Sequence, residues 1–236
     1  MLYTVRRSCA ADLAATVRAV GAMGYEGVEL FELHGHEPER VREWLDGAGL
    51  VACGRHVPLD AVEGRVAELA AEAQALGWRR LVVSWLDPAR IESDADALRD
   101  GLARAARTAA DAGLELGLHN HAAEVRPLAD GRTFLDDLPD ELFLEVDLGW
   151  AWWAGADPVA LLERTRGRVP LVHVKDFLVR GVRSFCPVGD GAVGYERVAP
   201  AAAAAGVDWL LVEQDETDGP ELDAARRSLA ALGRML

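Results

Sequence analysis

Five ionisable side chains stand at the ends of short apolar segments, and all five are of types that bind divalent metals. They are His56, His119, Asp147, His173 and Glu213. Imidazoles and carboxylates together form a mixed nitrogen and oxygen donor set, which suits Mn²⁺, Co²⁺, Zn²⁺ or Fe²⁺ better than Ca²⁺. The alternative for each residue is a polar side chain hydrogen-bonded to a nearby loop. Because four segment ends carry a ligand type, the sequence favours a metal site of His119, Asp147, His173 and Glu213.

Alternation along the same segments adds a second polar residue to several of these positions. Residues two apart in a strand point to the same face. The resulting pairs are His119 with His121, Glu145 with Asp147, His173 with Lys175, and Glu213 with Asp215. Polar side chains far apart in the sequence therefore converge only if the strands that carry them end at one place.

The segments themselves predict buried strands, because they are short, apolar and rich in β-branched residues. They span residues 2–5, 27–30, 50–57, 80–85, 114–120, 142–147, 171–176 and 209–215. Eight strands with intervening helical patterns give units of about 30 residues, the period of a (β/α)₈ barrel. A doubly wound open sheet is the alternative, but the segment VRRSCAAD lacks the Gly-rich phosphate turn that often follows its first strand. We therefore predict one TIM-barrel domain over residues 1–236, with the polar residues at its mouth.

Composition narrows the class of protein. Half of the 236 residues are hydrophobic, and the formal net charge is −14, which disfavours a nucleic-acid partner. Three cysteines without a CxxC pair argue against a disulfide scaffold. Apolar stretches fall short of the roughly 20 residues that cross a membrane, and the N-terminal segment does not resemble a signal peptide. We expect a cytoplasmic protein with no membrane partner that acts on a small molecule.

Several motifs resemble one group of proteins along nearly the whole chain. The segments FLEVDLGWAWWAGADPVALL, RVPLVHVKD and PVGDGAVGYERVAPAAAAAGVDWLLVEQDE, together with LELGLHNHAAEV, are similar to the sugar-phosphate isomerase/epimerase group of xylose-isomerase-like TIM barrels. The resemblance implies one divalent ion held by Asp147, His173 and Glu213, with Mn²⁺, Co²⁺, Zn²⁺ or Mg²⁺ as candidates. His119 stands where many relatives have Glu, and Trp150 where several have His. The superfamily also contains endonucleases with three zinc ions, which need many histidine and acidic ligands. This chain has six histidines, so we do not expect such a site.

The resemblance also implies a chemistry. In such enzymes a metal polarises a ketone and a carboxylate removes the neighbouring proton, giving an enediolate. We assign the base to Glu213, with a purely structural ligand as the alternative, and a second base to His119 or His121. Lys175 would stabilise the enediolate oxygen or protonate a leaving hydroxyl, unless it only forms an ion pair.

Substrate contacts are expected from His56, as a hydrogen-bond partner of hydroxyl groups, from His121, and from Trp85 and Trp150, because aromatic faces stack on sugar C–H surfaces. Trp152 and Trp153 are expected to pack a helix against the barrel instead, and Glu29 is expected to support a metal ligand or to be structural. The interval from His173 to Glu213 predicts a long loop. Its Arg180, Arg183 and glycines 189 and 191 indicate a solvated lid rather than a phosphate site.

Three functions remain open at this point. The first is a metal-dependent isomerase or epimerase acting on a keto-sugar or related polyol ketone. The second is a dehydratase of a cyclic keto-polyol, similar to inosose or dehydroshikimate dehydratases, and the third is a non-catalytic barrel subunit. A short barrel has short loops that a second subunit could complement, so a homodimer is a further expectation.

Overall fold

Seven parallel strands form the wall of a nearly closed barrel in the computed structural model, which describes residues 1–235. In chain order they are β1 (Gly27–Leu30), β2 (Val51–Val57), β3 (Arg80–Val83), β4 (Glu115–His119), β5 (Phe143–Asp147), β6 (Leu171–Val174) and β9 (Trp209–Val212). They pair in the order β1-β2-β3-β4-β5-β6-β9. Between β6 and β9 the chain forms a separate antiparallel hairpin of β7 (Asp176–Phe177) and β8 (Phe185–Cys186).

Helices follow the strands and cover the outside of the barrel. They are α1 (Arg6–Ala11), α2 (Leu13–Met23), α3 (Pro38–Gly47), α4 (Leu59–Leu76), α5 (Pro88–Ser93), α6 (Ala95–Asp111), α7 (Ala122–Val125), α8 (Leu148–Trp153), α9 (Pro158–Arg164), α10 (Tyr195–Ala205) and α11 (Glu221–Leu232). A 3₁₀ helix also spans Phe134–Asp137. The alternation of strand and helix confirms the predicted TIM-barrel class. Across residues 1–235, no helix has the length and apolar character needed to span a membrane.

The predicted first strand is wrong. Residues Leu2–Val5 form a 3₁₀ helix, in which the Thr4 N–H donates to the Met1 carbonyl oxygen. Helix α1 begins at the next residue, Arg6, so no connecting loop separates this segment from helical backbone. The segment nevertheless adjoins the end of β9, because the Met1 amine donates to the Val212 carbonyl oxygen at 3.0 Å and the Gln214 N–H donates to Thr4 Oγ1 at 3.1 Å.

The interior of the barrel has an apolar floor. Its buried members are Cys53, Val82, Leu171 and Leu211, with Phe143 and Trp209 packed against them. Gly54 allows close approach across the interior, because a Cβ there would lie 3.1 Å from Glu29 Oε1 and 3.6 Å from Leu171 Cδ1. The polar residues lie above this buried apolar layer, at the carboxyl ends of the strands.

Candidate active site

Strand register places the four predicted metal ligands together. Asp147 is paired with His173 across β5 and β6, and His119 ends the adjacent strand β4. Glu213 directly follows β9, the other neighbour of β6, and its N–H donates to the Val174 carbonyl oxygen. One ligand atom from each of the four side chains lies within 4.8 Å of the others, and all four residues are buried. The convergence expected from a barrel is therefore present.

Asp147 is fixed by its position at the start of helix α8. Its Oδ1 accepts a hydrogen bond of 2.7 Å from the Trp150 N–H, as an N-cap side chain does. Asn120 ties the ends of β4 and β5 together, since its Oδ1 accepts from the Asp147 N–H at 3.0 Å. Helix α8 lies against the end of β6 through Gly149, where a Cβ would be 2.2 Å from the Lys175 carbonyl oxygen. The other carboxylate oxygen of Asp147, Oδ2, therefore remains available for contacts within the site.

Lys175 lies beneath the pocket with its ammonium among three carboxylates. Its Nζ is 3.0 Å from Asp147 Oδ2, 2.9 Å from Glu213 Oε2 and 2.7 Å from Asp215 Oδ1, and the residue is only 1% exposed. The contact with Asp147 has ion-pair distance but not hydrogen-bond geometry. Burial opposes the charge, but the three carboxylates hold the pKa of Lys175 well above its usual value. The lysine is a permanent cation in this arrangement.

Glu145 forms the centre of the site, a role that the sequence alone did not assign to it. Its Oε1 is 2.6 Å from His56 Nε2, 3.0 Å from His119 Nδ1 and 3.0 Å from His173 Nε2. Glu29 Oε2 adds a second contact of 2.8 Å to His173 Nε2. Each imidazole that donates to these carboxylates is held in one orientation, as is common for metal-binding histidines. The signal in the sequence was a glutamate inside an otherwise apolar parallel strand, two residues before Asp147.

Burial and neighbouring charges determine the protonation states. Burial lowers the pKa of His119 to about 4 and raises that of Asp147 to about 6. Burial, and then the charge of Glu145, raises the pKa of Glu29 to about 7. Glu213 differs, because Lys175 and His173 outweigh its burial and hold its pKa well below the ordinary range.

A pocket of about 510 Å³ opens above these groups. All four predicted substrate-binding residues line it, namely His56, Trp85, His121 and Trp150, and so do His119 and Glu213. Asp147, His173 and Lys175 do not line it and lie deeper. Asp215 and Arg183, which the sequence marked only as the same-face partner of Glu213 and as part of a lid, also line it. Sequence reasoning missed four further residues of its wall, Tyr3, Arg6, Phe31 and Glu216. Phe31 and Glu216 lie in loops after β1 and β9, where no pattern marks them.

The remaining sequence expectations concern residues around the pocket. Trp152 is buried in the main hydrophobic core and Trp153 packs against it, as predicted. The glycine turn after the hairpin is already occupied by a carboxylate of this chain. Asp176 Oδ2 accepts from the Gly189 and Gly191 N–H groups at 2.9 and 3.2 Å. A phosphate site there is therefore disfavoured.

The residues present fit a divalent metal ion. Two imidazoles and two carboxylates converge within 4.8 Å, and this mixed nitrogen and oxygen donor set is of the kind that binds divalent transition metals. Lys175 is the competing cation, because it contacts Asp147 and Glu213. Asp215 lies outside the group of four ligand-type residues. It can therefore keep its contact with the Lys175 ammonium when that group holds an ion.

Comparison with known proteins gives one family and a consistent fold. The sequence model of the family described as xylose isomerase-like TIM barrel matches residues 17–235. An inosose dehydratase of Clostridium beijerinckii is 28% identical over 138 residues, covering 50% of this chain and 46% of the relative. The chain spans about half or less of the length of this relative and of two others with the same name.

Solved structures agree on the architecture. A sugar phosphate isomerase/epimerase from Parabacteroides distasonis superposes with a TM-score of 0.83 at 20% identity, over 98% of this chain and 91% of that one. A probable 3-DHS dehydratase from Bacillus anthracis gives 0.70 at 15% identity, over 93% and 92%. At these identities the likeness concerns the fold.

Proposed function

This chain belongs to the xylose isomerase-like TIM barrel family, and from that premise we propose that it is a divalent-metal-dependent enzyme that removes the proton beside the carbonyl of a keto-polyol. We propose dehydration as the outcome, with isomerisation or epimerisation as the second candidate. The observation that carries the proposal is the contact of Lys175 and Asp215, just beneath and at the pocket, with Glu213, one of four buried ligand-type side chains that converge.

A metal ion held by the ligand group and the Lys175 ammonium would both stabilise the negative charge that develops on the substrate oxygen. A divalent ion held by His119, Asp147, His173 and Glu213 would supply Lewis-acid polarisation of the substrate carbonyl. The Lys175 ammonium lies 2.9 Å from Glu213 Oε2 and is kept charged by its neighbours. A preorganised cation in a buried site stabilises a developing oxyanion with little reorganisation.

Two carboxylates compete for the role of proton acceptor. Glu213 lines the pocket, but a depressed pKa makes it a weak base and supports the ligand role. Asp215 also lines the pocket, and burial raises its pKa despite the nearby Lys175. We therefore propose Asp215 as a base beside the originally expected Glu213. Glu213→Gln should then lower metal content, whereas Asp215→Asn should lower turnover and leave metal content unchanged.

The imidazoles support dehydration over epimerisation. A reversible epimerase needs a second group that exchanges protons near neutral pH on the other face of the substrate. Burial lowers the pKa of His119 to about 4 and that of His121 to about 2, so neither meets this requirement. Dehydration needs only one such group: the α-proton leaves to a carboxylate, the β C–O bond breaks, and the carboxylic acid so formed returns the proton to the departing hydroxide, which leaves as water.

The pocket walls support a polyol substrate. Trp85 is 55% exposed at the pocket, and Trp150 presents a second indole, so sugar C–H faces have aromatic partners. The relatives named inosose dehydratase point to a cyclic polyol ketone as the first compound to test.

The test is incubation of an inosose with the protein and Mn²⁺ in D₂O, followed by NMR and mass spectrometry. Loss of the elements of water, with formation of an unsaturated or diketo product, supports dehydration. Deuterium exchange beside the carbonyl without loss of water supports the epimerase candidate. Absence of both across a panel of keto-polyols overturns the proposal and favours a non-catalytic barrel. Asp147→Asn is the matched control, because it removes one expected ligand while keeping the volume.

A further inference from the structure

The tip of the β7–β8 hairpin exposes an unusual amount of aliphatic surface. We define the hairpin tip as residues 178–184. Leu178, Val179 and Val182 are 55%, 54% and 51% exposed, and they make up half of the large exposed hydrophobic side chains in residues 1–235. Single exposed apolar residues are ordinary, but three within five residues of one turn indicate a contact surface.

This hairpin tip is an ordered feature. The Leu178 N–H donates to the Ser184 carbonyl oxygen at 2.9 Å, and the Val179 N–H donates to Ser184 Oγ at 3.0 Å. At its base the rings of Phe177 and Phe185 lie 4.8 Å apart. A surface that is already formed binds without a large cost in ordering.

Charge limits what the hairpin tip can bind. It carries Arg180 and Arg183 on a chain whose net charge is −14. Arg183 pairs with Glu216, whereas Arg180 has no carboxylate within 4.0 Å among residues 1–235 and lies 4.6 Å from the Trp152 ring. A partner surface with unpaired carboxylates fits both the cationic tip and the absence of an internal carboxylate partner for Arg180 among residues 1–235.

A groove of about 640 Å³ beside the hairpin offers such a surface. Leu178, Phe185 and Pro187 line its apolar part. Its charged part contains Asp190, Asp218 and Asp223 together with Arg226 and Arg227, of which Arg227 pairs with Asp190. Asp218 and Asp223 are exposed, and neither forms an ion pair within the described chain. A cationic apolar knob therefore lies next to a groove with two unpaired carboxylates, which is the self-complementary arrangement that a twofold dimer requires.

We propose that two copies of this chain associate through this face, with the hairpin tip of each copy in the groove of the other. Arg180 would meet Asp218 and Asp223 of the second copy, and the exposed aliphatic side chains would be buried. Arg183 belongs both to the hairpin tip and to the wall of the catalytic pocket. The second copy therefore covers part of the pocket mouth. This association does not depend on the proposed function.

Sedimentation equilibrium of the full chain tests the dimer. The monomer mass is 25.4 kDa, and twice that mass is expected at micromolar concentration. Val179→Asp should raise the dimer dissociation constant by at least about tenfold, because it places a carboxylate in an apolar contact. Val51→Asp is the matched control, since Val51 is equally exposed, at 54%, but begins strand β2 at the opposite end of the barrel. Unchanged far-ultraviolet circular dichroism spectra establish that each variant folds, because dissociation of the dimer would itself lower an unfolding midpoint.

Charge reversal identifies the partner surface. Arg180→Asp alone, and Asp218→Arg with Asp223→Arg, should each weaken the dimer, and the triple variant should restore it to within about threefold of the original constant. A monomer at all concentrations tested overturns the proposal. So does an equal effect of Val51→Asp, or failure of the triple variant to recover association.

Discussion

Replacement of Lys175 by methionine tests whether the ammonium balances the buried carboxylates of the site. Three carboxylate oxygens lie within 3.0 Å of Nζ, and the residue is 1% exposed. Methionine keeps most of the volume and removes the charge. Because breaking a buried ion pair costs about 3–5 kcal/mol, the metal-free variant should unfold about 6–20 °C below the unmodified protein.

Divalent ions should reverse much of this loss. An ion at 100 times its dissociation constant stabilises a folded protein by about 2.7 kcal/mol. In the variant the ion no longer competes with an ammonium for Asp147 and Glu213, so its affinity and its stabilisation should both increase. The expected result is a larger upward shift of the unfolding midpoint with Mn²⁺ for Lys175→Met than for the unmodified protein.

Thermal unfolding at pH 7.5, in EDTA and in excess Mn²⁺, measures both effects. Arg104→Met is the control, because Arg104 forms an exposed ion pair with Glu63, away from the pocket and the hairpin tip, whose loss should change the midpoint by less than about 2 °C. If Lys175→Met unfolds within 2 °C of the unmodified protein in EDTA, the ammonium does not balance the cluster. Equal stabilisation of both proteins by Mn²⁺ would refute competition between the ion and the lysine.

Three further predictions concern the supporting residues. Glu145→Gln should weaken Mn²⁺ binding about 10–100-fold in a chelator competition, because two expected imidazole ligands lose the negative charge of their shared acceptor; unchanged affinity would contradict that role. Burial raises the pKa of Glu124 from 4.5 to about 7, so the folded protein should lose about 3 kcal/mol of stability as pH rises from 4.5 through 7. Urea unfolding of Glu124→Gln should lack this loss. Parallel pH profiles of the two proteins would contradict the prediction. Gly149→Ala should cost about 1–3 kcal/mol in the same assay, because its Cβ would meet the Lys175 carbonyl oxygen at 2.2 Å, and a neutral result would disprove the close approach.

The sequence by itself determined the fold class and six of the residues that line the pocket. Short apolar runs followed by helical patterns are local properties, so the strands, the barrel and the convergence of His119, Asp147, His173 and Glu213 could be predicted. Aromatic residues after strand ends likewise identified Trp85 and Trp150 at the pocket. The segment at residues 2–5 was predicted wrongly, because a four-residue apolar run fits a strand and a short helix equally well.

Only the tertiary structure decided how the charges are distributed. Glu145 and Asp147 are equivalent by alternation, yet Glu145 contacts three imidazoles while Asp147 caps a helix and faces Lys175. Which carboxylate is a ligand and which a base depends on burial and on distances of about 3 Å between strands. Sequence spacing cannot encode those distances, because they arise from the register and curvature of strands that are remote along the chain.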